Sequence, residues 1–265
     1  MRPAIHLTTL LFLAATACAD GSSLADAGST PDTGPFAVTG AVQVHPLATS
    51  WLIAHGSPVP ETEGLSLTLE DPYVLEREPD AGVVASTTLG PGGRFDFVDL
   101  DGRIALGLTA TVWDPRGPSA PADAGLSWRT FVRTQTFVLE GKPHDLADAR
   151  AFSLPAQFVN ALADATGEMD LEAQGFLLGL VLDAQGRPTA GAEVVGYALE
   201  KARLRYLDPE LRPMPEAQAT SESGAFLVVG RVELMNFSVS GRSDLGQRKG
   251  LALPGQAFAI VLQTP

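Results

Sequence analysis

Short runs of alternating apolar and polar residues, cut by glycine and proline, narrow the fold of this chain more than any other feature. In residues 64–71 (GLSLTLED), Leu65, Leu67 and Leu69 fall on one side and Ser66, Thr68 and Glu70 on the other. Phe95 and Phe97 alternate with Asp96 in the same way. Successive side chains of an extended strand leave on opposite faces, so a period of two predicts strands with one buried and one wet face. The 27 glycines and 20 prolines supply turns between such runs. The pattern predicts an all-β sandwich.

The runs form two series. The first comprises 36–44 (FAVTGAVQV), 64–71, 93–100 (GRFDFVDL), 104–114 (IALGLTATVWD) and 129–140 (RTFVRTQTFVLE). The second comprises 175–186 (GFLLGLVLDAQG), 191–199 (GAEVVGYAL), 218–232 (QATSESGAFLVVGRV), 235–243 (MNFSVSGRS) and 258–263 (FAIVLQ). Laid over each other, Gly40 meets Gly179, GLSLTLED meets GAEVVGYAL, and Gly93 with Phe95 meet Gly224 with Phe226. LTATVWD then meets FSVSGRSD, and TFVLE meets FAIVLQ. Five matched segments in one order predict a duplicated domain, 36–140 and 175–265, with 141–174 between the copies. The connector holds Leu154, Phe158, Leu162 and Ala165 at helical spacing, with Ser153 as cap, Pro155 in the first turn and Gly167 as stop. It reads as a linker helix packed on a sandwich, with a partner-docking helix as the alternative.

The second copy resembles the carboxypeptidase regulatory-like modules. The likeness rests on Gly179, the turn Asp183, Gly186, Pro188, then Gly191, Ala192 and Val194, and a hairpin with Thr220, Gly224 and Phe226. Asp183 can accept backbone N–H groups, Gly186 can take positive φ, and Pro188 fixes φ after the turn. The resemblance implies tandem Greek-key sandwiches, prealbumin- or immunoglobulin-like, of about seven strands each. It places Phe226, Val228 and Leu234 inward and Ala225 and Leu227 on the other face. The first copy lacks the Asp-x-x-Gly-x-Pro turn; residues 45–63 replace it with a longer, different stretch.

The N-terminus reads as an address. Arg2 precedes a mostly apolar stretch, 4–15, that is too short to span a bilayer but suits a signal peptide over 1–17. Ala15, Thr16, Ala17 and Cys18 resemble the lipobox of bacterial lipoproteins, which implies cleavage before Cys18 and acylation of its thiol; an ordinary cleaved signal is the alternative. Residues 19–35 (ADGSSLADAGSTPDTGP) cannot build a core, so 18–35 reads as a lipidated tether. The implied location is the bacterial envelope, lipid-anchored, at the outer membrane.

A formal net charge of −13 opposes nucleic acid as a partner. No HExxH, Gly-x-Ser-x-Gly, GxGxxG or P-loop pattern occurs, and no cofactor or metal is expected. His45, His55 and His144 read as surface or turn residues. Asp96, Asp99, Asp101 and Gly102 look like a fragment of a calcium loop without its glutamate, hence a solvated strand end, with a structural calcium as the alternative. Trp51, Trp113 and Trp128 suit core or rim packing, or a sugar-stacking face. The reading is a non-catalytic envelope lipoprotein that binds or spaces a protein or polysaccharide partner. The alternatives are a carbohydrate-binding lipoprotein using exposed tryptophans and, last, a cryptic enzyme.

Overall fold

The computed structural model describes residues 34–75, 82–102, 104, 107–115, 130–196 and 203–263. The first copy contributes β1 (Phe36–Val44), β2 (Ser66–Glu70), β3 (Val83–Thr88), β4 (Arg94–Leu100), β5 (Gly107–Trp113), β6 (Phe131–Val132), β7 (Thr134–Glu140) and β8 (Leu146–Pro155). Helix α1 (Pro46–Ala54) follows β1, and α2 (Pro72–Leu75) follows β2; α3 (Ala156–Thr166) and α4 (Leu171–Gln174) follow β8. The second copy contributes β9 (Phe176–Leu182), β10 (Val194–Gly196), β11 (Arg203–Tyr206), β12 (Ala225–Val229), β13 (Val232–Val239), β14 (Arg248–Ala252) and β15 (Ala257–Gln263). The protein is all-β and sandwich-like.

The strands of the two series pair in the same pattern. In the first copy β1 lies between antiparallel β4 and parallel β8; in the second β9 lies between antiparallel β12 and parallel β15. Likewise β5 lies between β2 and β7, as β13 lies between β10 and β14. Four of the five sequence matches agree with this pairing. The fifth does not: β7 corresponds to β14, and β15 corresponds to β8. The mismatch arose because β8 lies inside the stretch read as a connector. Its sequence, LADARAFSLP, shows no clean alternation, since Ala151 through Pro155 are all buried.

The two copies are fused through a shared sheet. The start of β15 runs parallel to β7, pairing Ala257 with Thr134 and Phe258 with Gln135. This joins β11-β12-β9-β15 to β7-β5-β2-β3 in one eight-stranded sheet. The remaining sheets are β4-β1-β8-β6 and β10-β13-β14. One core, with Val38, Phe95, Leu67 and Val112, lies between the four-stranded sheet and the β2–β5–β7 region. A second, with Phe226, Phe237, Phe258 and Leu251, lies between β12-β9-β15 and the three-stranded sheet. A third, with Phe158, Leu162, Phe176 and Leu227, lies under α3 on the opposite face of those central strands.

Covering both faces changes the expectation of one wet face per strand. All residues of β9 and β12 are buried. Phe226 and Val228 join the second core as expected, and Leu234 packs against it partly buried. Ala225 and Leu227 take the other face, but that face is the third core and not solvent. A strand buried on both faces reads as a continuous apolar run, which FLLGLVL and AFLVV are. The linker helix starts after Pro155, with Ser153 still in β8, and ends at Gly167 in the left-handed region, φ 67°. Helix α1, unforeseen, begins with Pro46 and forms part of the stretch that replaces the missing turn.

Candidate functional site

A cluster of buried polar side chains sits where strand alternation promised a wet face. Ser66, Thr68 and Glu70 were expected outside; Thr68 and Glu70 are instead buried, with Glu70 only 1% exposed. Pairing of β2, β5 and β7 places Thr68 opposite Thr111 and Thr111 opposite Gln135. Glu70 lies opposite Thr109. All of these side chains are buried.

Glu70 is the hub. Its Oε1 accepts the Thr68 hydroxyl at 2.8 Å. Its Oε2 accepts a short hydrogen bond from the Thr111 hydroxyl and a second, at 3.0 Å, from the Gln135 carboxamide Nε2. The same Nε2 lies 3.0 Å from Thr111 Oγ1. The Arg133 guanidinium stands 3.6 Å from Oε1 and lies over the Trp113 ring at 5.6 Å. Thr109 donates to the Glu70 backbone carbonyl at 3.2 Å. A buried carboxylate is tolerated only when donors and a cation replace its water, and these groups do so. Chemically the cluster holds a hydroxyl, a carboxylate and a carboxamide in mutual contact. The sequence signal was faint: Thr68 and Glu70, Thr109 and Thr111, and Gln135 each sit two apart or alternate in separate strands, and only the pairing register brings them together.

His45 corrects another expectation. Its place after a strand predicts a surface or turn residue, and it is fully buried. It follows β1 at the point where the chain turns into α1, and its backbone N–H bonds the Ser153 carbonyl at 3.0 Å. The side chain therefore points inward, edge-on to Phe152 at 5.3 Å, with Nε2 3.5 Å from the Ile260 carbonyl. Burial pushes its pKa from 6.5 down to about 4, opposed by the Ile260 hydrogen bond. His55 and His144 are exposed, each bonded to a nearby backbone carbonyl, as expected of turn residues.

Trp51 on α1 stacks on His55 at 4.1 Å and meets Phe158 edge-on. Trp113 ends β5 under Arg133. No ring contact joins Trp51 to Trp113 among the described residues; Trp128 and Cys18 lie outside them. Asp96 and Asp99 lie on β4, Asp99 with φ 55°. Among the described residues, no group of three or more His, Cys, Asp or Glu is placed to hold a metal ion. An open groove of about 700 Å³ lies where β7 and β15 diverge, lined by Phe137, Glu140, Asp148, Arg150, Arg248 and Ile260 among others.

No protein-family model matches this chain, and no curated protein does. Solved structures align with it loosely. The Bacillus anthracis TIE protein shares 10% identity over 88% of this chain, with a TM-score of 0.24, and this chain spans 34% of that one. The shaft pilin SpaA from Lactobacillus rhamnosus GG shares 9% identity over 87% of this chain and 98% of its own, with a TM-score of 0.25. The pilus backbone of Streptococcus pneumoniae shares 10% over 87% and 64%, with a TM-score of 0.22.

Proposed function

We propose that this chain is an exported protein of the bacterial envelope, anchored by lipid on Cys18 at the outer membrane. Its fused sandwiches act as a non-catalytic module that binds or spaces a protein or glycan partner. The observation that carries this reading is an ordered succession. Arg2, the apolar stretch 4–15 and Ala15–Thr16–Ala17 lead to the chain's single cysteine, a core-less tether follows, and β1 begins at Phe36 immediately after it. Two or more acyl chains, each contributing about 0.8 kcal/mol per buried CH₂, hold a protein at a membrane durably. A short polar tether then sets the folded body away from the surface.

The test is phase partition with metabolic labelling. Wild type should enter the detergent phase and take up labelled fatty acid, whereas Cys18→Ser should stay aqueous and unlabelled. Equal partition and labelling of the two proteins would sink the anchor reading.

A further inference from the structure

We infer that Thr111 and Gln135 form an intramolecular ester, made by the protein itself with Glu70 as the proton-transfer group. The inference rests on one oxygen. Glu70 Oε2 accepts the hydrogen of the Thr111 hydroxyl and also the hydrogen bond of Gln135 Nε2 at 3.0 Å. That oxygen therefore touches both the group that would attack and the group that would leave. The same Nε2 lies 3.0 Å from Thr111 Oγ1, and the carboxamide carbon is one bond beyond that nitrogen. Thr111 and Gln135 are direct cross-strand partners, so two strands of the sheet hold the reacting groups in place. Groups so held react with effective concentrations of up to about 10⁵–10⁸ M in favourable cases.

The step balances without any co-reactant. Glu70 Oε2 takes the Thr111 hydroxyl proton as Oγ1 bonds to the Gln135 side-chain carbonyl carbon, and the carbonyl π pair moves to oxygen. When that pair returns, the bond from carbon to Nε2 breaks. Nε2 takes the proton from Glu70, ammonia leaves, and the carboxylate is restored. Thr68 holds the other carboxylate oxygen at 2.8 Å, and the Arg133 guanidinium stands 3.6 Å from it. Thr111, Gln135 and Glu70 are each 1% exposed or less, which keeps out water that would hydrolyse the ester.

Peptide mapping of the full-length chain by mass spectrometry tests this. In wild type, the tryptic segments that carry Thr111 and Gln135 should travel as one species, lighter than their sum by one ammonia, and alkaline hydroxylamine should separate them. Intact mass should show the same deficit relative to Thr111→Val, beyond the substitution itself. Glu70→Gln should leave the two segments separate. Unlinked segments in wild type would overturn the proposal, without any need for the variants to fold. A link that forms equally in Glu70→Gln would overturn the role given to Glu70.

Discussion

Phe226 lies across Gly179. The two are cross-strand partners on β12 and β9, and a Cβ on Gly179 would stand 2.0 Å from the tip of the Phe226 ring. The glycine at the centre of an otherwise fully apolar strand is therefore the floor on which a core ring rests.

Gly179→Ala should cost about 3 kcal/mol or more, because a ring packed on all sides cannot yield. Phe226→Ala should cost about 3–5 kcal/mol by leaving a cavity. The double variant should cost less than the two singles together by more than about 1 kcal/mol, since removing the ring removes the clash. Glu222→Ala, in the exposed turn beside them, should cost under about 0.5 kcal/mol. Urea melts of the four proteins measure all of this; strict additivity would show that the ring and the glycine do not meet.

His45 predicts a pH dependence. Its folded pKa, about 4, lies below the ordinary 6.5, so between those values the unfolded chain binds a proton that the folded chain refuses. Stability is fully present above pH 6.5 and falls as pH drops toward 4, by roughly 3 kcal/mol at most across the window. Asp183 and Asp244 also have lowered pKa values, but from 3.8 downward, so their losses come at more acid pH. His45→Phe should flatten the midpoint of denaturation between pH 6.5 and 4.5. An unchanged slope in that variant would show that His45 is not the titrating group.

Gly186 and Leu211 hold the same place in two loops of one design. In each, the backbone N–H of an Asp (Asp183, Asp208) donates to the carbonyl of an Arg four residues on, whose own N–H donates back to the Asp carboxylate, and a Pro six residues after the preceding Leu forms a β-bridge with that Leu. The third residue after each Asp has positive φ, 75° at Gly186 and 66° at Leu211. A left-handed residue with a Cβ costs about 1–2 kcal/mol, which Leu211 offsets by burial in the third core. Gly186→Ala should therefore destabilise by about 1 kcal/mol. Leu211→Ala should cost about 2–5 kcal/mol, and Leu211→Gly, despite its smaller side chain, should cost less than Leu211→Ala because it relieves the backbone. Thermal melts rank the three; Leu211→Gly falling below Leu211→Ala would refute the strain.

The fragment 175–265 should be less stable than the whole body. It lacks β7 beside β15, Phe137 from the second core, and Leu154, Phe158 and Leu162 from the third. Its denaturant midpoint should lie clearly below that of residues 36–265, and extending it back to residue 134 should recover part of the loss. Identical midpoints would mean that the two sandwiches are energetically independent.

Much of this fold was legible in the residues themselves, because local periodicity and turn chemistry are short-range properties. The short runs marked β1, β2 and β4 to within two residues and β5 to within three, Gly167 marked the end of α3, and Gly186 was expected to take positive φ and has it, 75°. Asp183 was expected to accept backbone N–H groups, and it takes those of Gln185 and Arg187 at 2.9 Å. What strands pair with is a long-range matter. That β8 and not β7 completes the first sheet, that β7 meets β15, and that polar side chains of β2, β5 and β7 meet side by side and buried could be decided only in three dimensions. The same alternation describes a wet face and a buried polar one, and only the packing turned Glu70, Thr111 and Gln135 from three solvated side chains into one cluster.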